Sequence, residues 1–260
     1  MVTALRGAVI FFAIWFILVS VGGAMVEKPQ WLKGPLVGLL EDRLVETRLE
    51  KLVELVLKAP FNITGFRTAE ALWIHGVYDA IETLQGVNLT GMKIAVDIGS
   101  GAGFPGLVLA ILTAETSWTL IESREKRAEY LKYMVEDLDL GNVSVLHGRA
   151  EEIVRNETGI RECADLVTAR AVGSFRVTLE LAVPYMKVGG SGFFPRGRVH
   201  VMSEIEEAQD LCRELGAEVG SVSPPYGNNG ESQIIRVTKM QSTSLEFPRR
   251  AKLLGTRLPG

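Results

Sequence analysis

The feature that most constrains the fold is the glycine-rich stretch DIGSGAGFPG at residues 97–106, which directly follows a short apolar segment. A strand that runs into such a turn and then into a helix is typical of open parallel sheets, which bind nucleotide-like ligands at the carboxyl ends of their strands. Glycines there accept positive φ angles and let the backbone approach a ligand closely. The stretch therefore predicts a ligand site beside the first strand of an α/β sheet.

Short apolar segments alternate with helical ones around and after this turn. Five of them have strand character, at residues 93–97, 118–122, 143–146, 165–168 and 192–194. Helices are predicted to start between them, near residues 104, 124, 150 and 174. A helix at 203–215 and two late strands at 218–221 and 233–238 complete an edge that could be an antiparallel hairpin. The alternation predicts right-handed crossovers and a doubly wound, mostly parallel, seven-stranded α/β sheet of Rossmann-like type.

The chain is expected to divide into four parts. Its 260 residues, 47% of them hydrophobic, suffice for one main core and a smaller appendage. Amphipathic patterns at residues 37–57 and 68–84 predict helices ahead of the sheet. We therefore expect an apolar segment at 1–27, a helical region at 28–90, the main domain at 91–240 and a basic tail at 241–260.

The apolar segment at residues 8–26 carries no charge and meets the length criterion for a membrane span. The lysines and arginines that follow it would keep the main domain in the cytoplasm by the positive-inside rule. A natural start at Met25 is an equally strong interpretation, because everything after Met25 has the pattern of a complete domain. A cleaved signal peptide is disfavoured, since the chemistry inferred below belongs in the cytoplasm.

Composition excludes several classes of protein. The two cysteines, Cys163 and Cys212, lie too far apart in sequence for a metal-binding Cys-x-x-Cys pair and are too few for a disulfide framework. No zinc site can be argued, and a reducing compartment follows. The net charge of -3 argues against bulk attraction to nucleic acid. Binding of RNA would then need a local basic patch, such as the Phe247–Gly260 region with Arg249, Arg250, Lys252 and Arg257.

Two acidic residues indicate which ligand the turn binds. Asp97 precedes Gly99, Gly101 and Gly103, where a carboxylate can offset the cationic amino group of a methionine moiety but would repel a pyrophosphate. Glu122 ends the second strand, where it can accept hydrogen bonds from both hydroxyls of a ribose. Asp97 favours S-adenosylmethionine over a dinucleotide, whereas either cofactor would use Glu122. The alternative is that Asp97 caps the turn and Glu122 is a solvated charge.

Two further strand ends extend the predicted site. Ala150 and Glu151 follow the third strand, where methyltransferase folds place contacts to adenine. Arg170 follows the fourth strand, beside the expected position of the methyl group. An arginine that faces the cleft at this point is better explained by a role in holding cofactor or substrate than by a surface ion pair.

The series of motifs resembles the bacterial small-subunit (16S) rRNA guanine-N7 methyltransferases, also called glucose-inhibited division protein B. The resemblance runs from residue 62 to residue 259. Its carriers, in order, are NIT at 62–64, VYDA at 77–80, GFPG at 103–106, ES at 122–123, RAE at 149–151, TARA at 168–171 and FPRR at 247–250. It implies a class I S-adenosylmethionine-dependent methyltransferase fold, a 16S rRNA or small-subunit substrate held by basic residues, and the cofactor contacts Gly99, Phe104, Ala150, Glu151 and Arg170.

The chain departs from the family pattern at three positions. The family's histidine before Asp79 falls on Gly76, with His75 one place early, so that His75 is either a displaced counterpart or a packed helix residue. The family's lysine after the fifth strand falls on Arg196, and an arginine expected before the last strand is Ser232. Contacts to substrate are therefore expected to differ from the family more than contacts to the cofactor.

The expected chemistry needs little from the protein. The N7 atom of guanine already carries an unshared pair, so alignment and a positive environment suffice without a general base. Arg170 and Arg196 are predicted to position the reactants. We expect a monomer in the cytoplasm, with membrane contact through residues 8–26 if that segment is an anchor.

Other functions stay open at this point. One is methyl transfer to a small molecule, lipid or protein, which the acidic net charge and Ser232 favour. Another is a cofactor-binding module for ribosome assembly that has lost turnover. A nicotinamide-dependent oxidoreductase is disfavoured by Asp97.

Overall fold

The computed structural model describes residues 18–21, 24–27, 35–84, 87, 90–227 and 229–256. Within these ranges the α-helices are α1 (Arg43–Leu57), α2 (Ala69–Leu72), α3 (Asp79–Thr83), α4 (Gly106–Leu112), α5 (Glu125–Asp137), α6 (Ala150–Asn156), α7 (Phe175–Ala182) and α8 (Val201–Glu214). The strands are β1 (Leu18–Val21), β2 (Ala24–Glu27), β3 (Ile94–Ile98), β4 (Ser117–Glu122), β5 (Val143–His147), β6 (Ala164–Ala169), β7 (Met186–Gly197), β8 (Ala217–Val222) and β9 (Ser232–Lys239).

Seven of the strands form one sheet in the order β5-β4-β3-β6-β7-β9-β8. β3 pairs in parallel with both β4 and β6, and β9 runs antiparallel to β7 and β8. The predicted doubly wound, mostly parallel, seven-stranded sheet is therefore confirmed, including the hairpin at its edge. The chain leaves β3 towards one side of the sheet and later returns to its other side, which creates a crevice at the carboxyl end of β3.

Alternating side chains of the strands feed two hydrophobic layers, one on each face of the sheet. Ala95, Leu120 and Leu166 belong to the layer that packs with α1, α3, α4 and α5. Val96, Ile121 and Val167 belong to the layer that packs with α6, α7 and α8. The sheet is thus covered on both faces, as its largely apolar strands require.

The first predicted helix begins later than its apolar pattern does. A 3-10 turn occupies Pro35–Glu41, and α1 starts only after Asp42. The Asp42 carboxylate accepts a hydrogen bond from the Leu44 amide at 2.8 Å, which satisfies an amide that has no partner inside the helix. α1 then buries Leu49, Leu52 and Val53 against the sheet layer.

The second predicted helix carries a widened turn in its middle. Thr68 caps α2, and a π-helix at Trp73–Tyr78 joins α2 to α3. Such π-turns hold one more residue than an α-turn and are frequent at functional sites. This turn ends directly before Asp79 and contains His75 and Gly76, where the sequence departs from the family pattern.

The apolar segment at 8–26 is only partly described. β1 and β2 pair antiparallel, with Leu18 opposite Glu27 and Val21 opposite Ala24. Residues 8–17, 22 and 23 lie outside the described residues. Among the helices that the structure describes, none has the length and apolar character to cross a bilayer. The membrane span stays a prediction.

The predicted basic tail packs on the main domain as far as residue 256. Arg249 forms an ion pair with the buried Glu180 at 2.7 Å, so its guanidinium is not available to an RNA backbone. Arg250 and Lys252 are exposed, and Arg257 lies outside the described residues. The predicted basic patch therefore loses Arg249, while Arg250 and Lys252 keep their place in it.

Candidate active site

The glycine-rich turn has the conformation that the sequence predicts. Gly99, Gly101 and Gly103 have φ angles of +71°, +55° and +91°. The amides of Gly99 and Ser100 donate to the Ile121 carbonyl at 2.8 and 3.1 Å, which ties the turn to β4. A Cβ atom at Gly99 would lie 2.9 Å from Val172, and one at Gly103 would lie 2.5 Å from Leu107. The turn therefore needs glycine for both its backbone angles and its packing.

The Asp97 carboxylate lies beneath this turn and is 1% exposed. Its Oδ1 accepts a hydrogen bond from the Thr168 hydroxyl at 2.7 Å, across the register that pairs β3 with β6. Its Oδ2 is buried and has no donor among the described residues. Burial raises the pKa of Asp97 to about 6, although the Thr168 hydroxyl opposes the shift. Within the described residues Oδ2 has no close hydrogen bond, although the Gly106 amide and the charge of Arg170 also act to lower the pKa of this carboxylate.

Glu122 is buried, not solvated, so the interpretation as a surface charge is wrong. Its Oε2 accepts from the Gly101 amide at 2.9 Å, and its Oε1 accepts from the Arg124 amide at 2.8 Å. The side chain therefore fixes the turn against the end of β4. An ionised carboxylate has further lone pairs, so contact with ribose hydroxyls remains compatible with these bonds.

A cavity opens beside the turn at the carboxyl ends of β3, β4 and β5. Its polar side is formed by Gly99, Ser123, Gly148, Arg149, Ala150 and Glu151. Its apolar side is formed by Ile98, Ile121, Val172, Val177, Leu181 and Leu254. The cavity brings together the predicted residues Gly99, Ala150 and Glu151. The other predicted residues do not line it: Asp97, Gly101, Gly103, Phe104, Glu122 and Arg170.

The start of α6 forms one wall of this cavity. Tyr185, which the sequence did not single out, donates a hydrogen bond from its hydroxyl to the Ala150 carbonyl at 2.6 Å. Glu151 is 5% exposed and accepts from the Arg149 guanidinium at 2.6 Å. The backbone of Ala150 is thus fixed from below, while Arg149 lies at the mouth of the cavity with half of its side chain exposed.

Arg170 lies on the other side of the turn, next to the N-terminal helices. Its Nη2 atom is 3.8 Å from Asp79 Oδ2, and its Nη1 atom is buried with no acceptor among the described residues. Burial raises the pKa of Asp79, and Arg170 opposes that shift. Asp79 belongs to the VYDA motif but was not predicted as a site residue. It orients the guanidinium of Arg170 at the edge of the cleft.

The predicted role of Arg196 in the cleft is not supported. Its side chain is 7% exposed, its Nε is 3.5 Å from Glu204 on α8, and its Nη2 donates to the Thr178 hydroxyl. The guanidinium also lies over the Phe175 ring. Arg196 is thus enclosed between α7 and α8 and does not line the cavity.

The π-helix bears on the interpretation of His75. The His75 ring stacks on Phe66 with 5.2 Å between ring centroids, and it contributes a favourable charge interaction to Asp79. Gly76 faces the turn, and a Cβ atom there would lie 2.9 Å from the Phe104 ring. A family-like histidine at position 76 would therefore collide with Phe104. His75 therefore has the position of a packed helix residue, stacked on Phe66 within the π-helix.

The family described as GidB, rRNA small subunit methyltransferase G, matches residues 46–232. A ribosomal RNA small subunit methyltransferase G from Oenococcus oeni is 37% identical over 210 residues, covering 80% of this chain and 85% of the relative. Its namesakes from Chloroflexus aggregans and from Thermotoga sp. strain RQ2 are 38% and 35% identical, covering 73% and 78% of this chain and 79% and 86% of the relatives.

Solved structures share the fold at low identity. Cofactor-bound Rv0187 from MTB has a TM-score of 0.53 at 14% identity, covering 83% of this chain and 100% of that one. A branched-chain polyamine synthase mutein from Thermus thermophilus has a TM-score of 0.57 at 13% identity, covering 78% and 65%. Neither of these two structures is named for a methyl transfer, so the fold alone does not assign the reaction. The sequence relatives do: the chain belongs to the rRNA small subunit methyltransferase G family.

Proposed function

We propose that this chain transfers a methyl group from S-adenosylmethionine to N7 of a guanine in small-subunit (16S) rRNA. The observation that carries the proposal is the cavity at the carboxyl ends of β3, β4 and β5, next to the glycine-rich turn, in a member of an rRNA methyltransferase family. Such a crevice is where open α/β sheets bind ligands of this kind.

The residues present fit this cofactor. Gly99, Ala150 and Glu151 line the cavity and would hold the adenosine part. Asp97 Oδ2 is a buried acceptor with no close hydrogen bond in the part of the chain that the structure describes, which suits the ammonium group of the methionine part. The cofactor would supply an electrophilic methyl group on a cationic sulfur. Glu122 would hold the ribose from the end of β4.

The chain's own contribution to the reaction is alignment. The N7 lone pair of guanine needs no base to activate it, so the protein has to bring it in line with the methyl group and exclude water. Arg170 is the proposed positioning group, because its Nη1 has no acceptor among the described residues and its Nη2 is oriented by Asp79. Arg196 is left out of this proposal because it is enclosed.

A methyl-transfer assay tests the proposal. The substrate is small-subunit rRNA from cells that lack this protein, and the product is mapped by nucleotide. We expect transfer to a guanine by the intact chain and a loss of about a hundredfold in Arg170→Ala, the size of effect that lost alignment produces. Arg213→Ala is the matched control, because Arg213 is exposed at the far end of α8.

Three other outcomes would contradict the assignment of the enzyme, the substrate or the cofactor. Binding of S-adenosylhomocysteine without transfer to rRNA would contradict the enzyme assignment and favour the assembly module. Transfer to a protein or small molecule in place of rRNA would contradict the substrate. Preference for NAD in calorimetry would contradict the cofactor.

We also propose that the protein acts as a monomer in the cytoplasm. Fractionation of cells that produce the full chain, or a chain starting at Met25, distinguishes the two interpretations of residues 8–26. An anchor would place only the full chain in the membrane fraction. The same fractions, analysed by size-exclusion chromatography with light scattering, give the oligomeric state.

A further inference from the structure

We propose that residues 247–256, here called the C-terminal strap, form a wall of the cofactor cavity, with Leu254 in contact with the cofactor and Glu180 as a positioning residue that fixes the strap. This inference rests on the proposed function. It concerns a part of the chain that follows the sheet by several residues and lies outside residues 46–232, the part that the family match covers.

The strap is held by a buried carboxylate of α7. Glu180 is fully buried, and its Oε1 accepts from the Arg249 amide at 2.8 Å and from Arg249 Nε at 2.7 Å. Its Oε2 accepts from Arg249 Nη2 at 2.7 Å and from the Gly255 amide at 2.9 Å. Burial alone would raise the pKa of Glu180, but the bonds from Arg249 and Gly255 hold the pKa below its ordinary value. One side chain thus fixes two points of the strap.

A second residue of α7 holds the same region through the backbone. Arg176 Nε donates to the Gly255 carbonyl at 3.0 Å, and Arg176 Nη2 donates to the Thr256 carbonyl at 3.1 Å. Gly255 has a φ angle of +68°, and a Cβ atom there would lie 2.6 Å from Val177. The strap therefore lies directly on α7. Only glycine at position 255 permits its backbone to approach α7 this closely.

The start of the strap is held from α6 and the loop after it. Arg155 donates to the Glu246 carbonyl at 3.2 Å, and Arg161 donates to the Phe247 carbonyl at 3.0 Å. Phe247 is buried. The strap consequently crosses from α6 to α7, and these two helices flank the cavity.

The helical spacing of α7 connects the strap to the cavity. Arg176 and Glu180 are four residues apart and hold the strap, while Val177 and Leu181, also four apart, line the cavity. Residues at this spacing share one face of a helix. Leu254 lines the cavity from the strap, and Ala150 lines the same cavity. An apolar wall of this kind suits the face of an adenine ring, not the charged methionine end of the cofactor.

Calorimetry with S-adenosylhomocysteine on the full chain tests the role of Leu254. We expect Leu254→Ala to weaken binding by about tenfold, since a leucine side chain would lose its contact with the ligand. Leu254→Met should restore most of the affinity. Leu245→Ala is the matched control, because Leu245 lies just before the strap, is 82% exposed and does not line the cavity.

The role of Glu180 is tested by kinetics. Glu180→Gln keeps the volume of the side chain but removes the charge that Arg249 contacts. We expect KM for S-adenosylmethionine to rise about tenfold with kcat at saturating cofactor unchanged, because the strap affects binding and not the reacting atoms. A purely structural role would lower the melting temperature and the active fraction without this rise in KM.

The two proposals fail in different ways. If the wild-type chain does not bind S-adenosylhomocysteine, the proposed function is wrong. If the wild-type chain binds it and Leu254→Ala binds equally well, the strap is not part of the site. Should Glu180→Gln fail to fold, the Leu254 variants still decide the matter.

Discussion

Burial and charge oppose each other at Asp97, the residue on which the choice of cofactor depends. The carboxylate has one donor, the Thr168 hydroxyl, and one oxygen without a partner among the described residues. Folding therefore favours its protonated form, and the pKa of about 6 lies some two units above the ordinary 3.8. The stability from this group is complete below pH 3.8 and is lost as the pH rises through 6.

Asp97→Asn should stabilise the ligand-free protein at pH 8 and weaken its binding of S-adenosylhomocysteine. A shift of two pKa units corresponds to about 3 kcal/mol of unfolding free energy, which is the upper limit of the gain. The gain should be smaller at pH 5. Urea unfolding at both pH values and calorimetry at pH 8 provide the measurements.

Asp165→Asn is the matched control for this variant, because folding lowers the pKa of Asp165 and raises the pKa of Asp97. Asp165 lies on β6, where bonds from Lys187 and from the Ile94 and Lys93 amides outweigh its burial and lower its pKa. Asp165→Asn should lower the unfolding free energy at pH 8, and the loss should be smaller at acid pH. Equal behaviour of the two variants would contradict the electrostatic account of Asp97.

The residue scale also marks where the sequence stops being informative. Arg170 and Arg196 both follow the ends of predicted strands, so the sequence treats them alike, although Arg196 lies within β7. Only the tertiary placement of α8 shows that Arg196 contacts Glu204 and is enclosed. Nothing in the sequence indicated a role for Leu254, because only the tertiary structure shows that this leucine lines the cavity.

At the scale of elements, local patterns predicted the helices and strands well. The alternation of apolar segments placed β3 to β6 within a residue or two of their bounds. β7 is longer than the predicted 192–194 and spans Met186–Gly197. Its extra part contains Gly189 and Gly190, which have low strand propensity, so pairing with β6 and β9 decides its extent. The π-helix was not predictable either, because the apolar pattern of residues 68–84 is that of a helix throughout.

Gly76→Ala should disturb the contact between the π-helix and the glycine-rich turn. The new Cβ atom would lie 2.9 Å from the Phe104 ring, so the ring has to move. We expect a loss of about 1–3 kcal/mol in unfolding free energy, the range for overpacking, and weaker binding of S-adenosylhomocysteine. Urea unfolding and calorimetry measure the two effects.

Two further variants control this prediction. Gly141→Ala should leave stability and binding nearly unchanged, since a Cβ atom at Gly141 meets nothing within 4 Å. Adding Phe104→Leu to Gly76→Ala should recover part of the loss, which a double-mutant cycle would quantify. Additive effects of the two changes would mean that the contact is not the cause.

At the scale of the whole molecule, family, fold and enzyme class were predictable. The order of short motifs predicted the rRNA small subunit methyltransferase G family, which the comparisons confirm together with the S-adenosylmethionine-dependent class of enzyme. The sheet is confirmed by its strand order. The strap was not predictable, because Arg249 and Glu180 are far apart in sequence and each looks like a surface charge.

Saturation with S-adenosylhomocysteine should stabilise the entire domain. At a hundred times the Kd, binding contributes about 2.7 kcal/mol. For a domain of this size that corresponds to a rise in melting temperature of about 5–10 °C. Differential scanning calorimetry measures it, and NAD at the same concentration should produce no rise. A rise with NAD alone would contradict the cofactor assignment.

The lone Oδ2 of Asp97 has a consequence for the abundance of the protein in a cell. Because neutral pH leaves this buried carboxylate ionised and bound ligand stabilises the folded state, empty molecules open more often than loaded ones, and proteases degrade open molecules. Intracellular half-life should then follow the supply of methyl donor. Methionine starvation would deplete the wild-type chain sooner than Asp97→Asn.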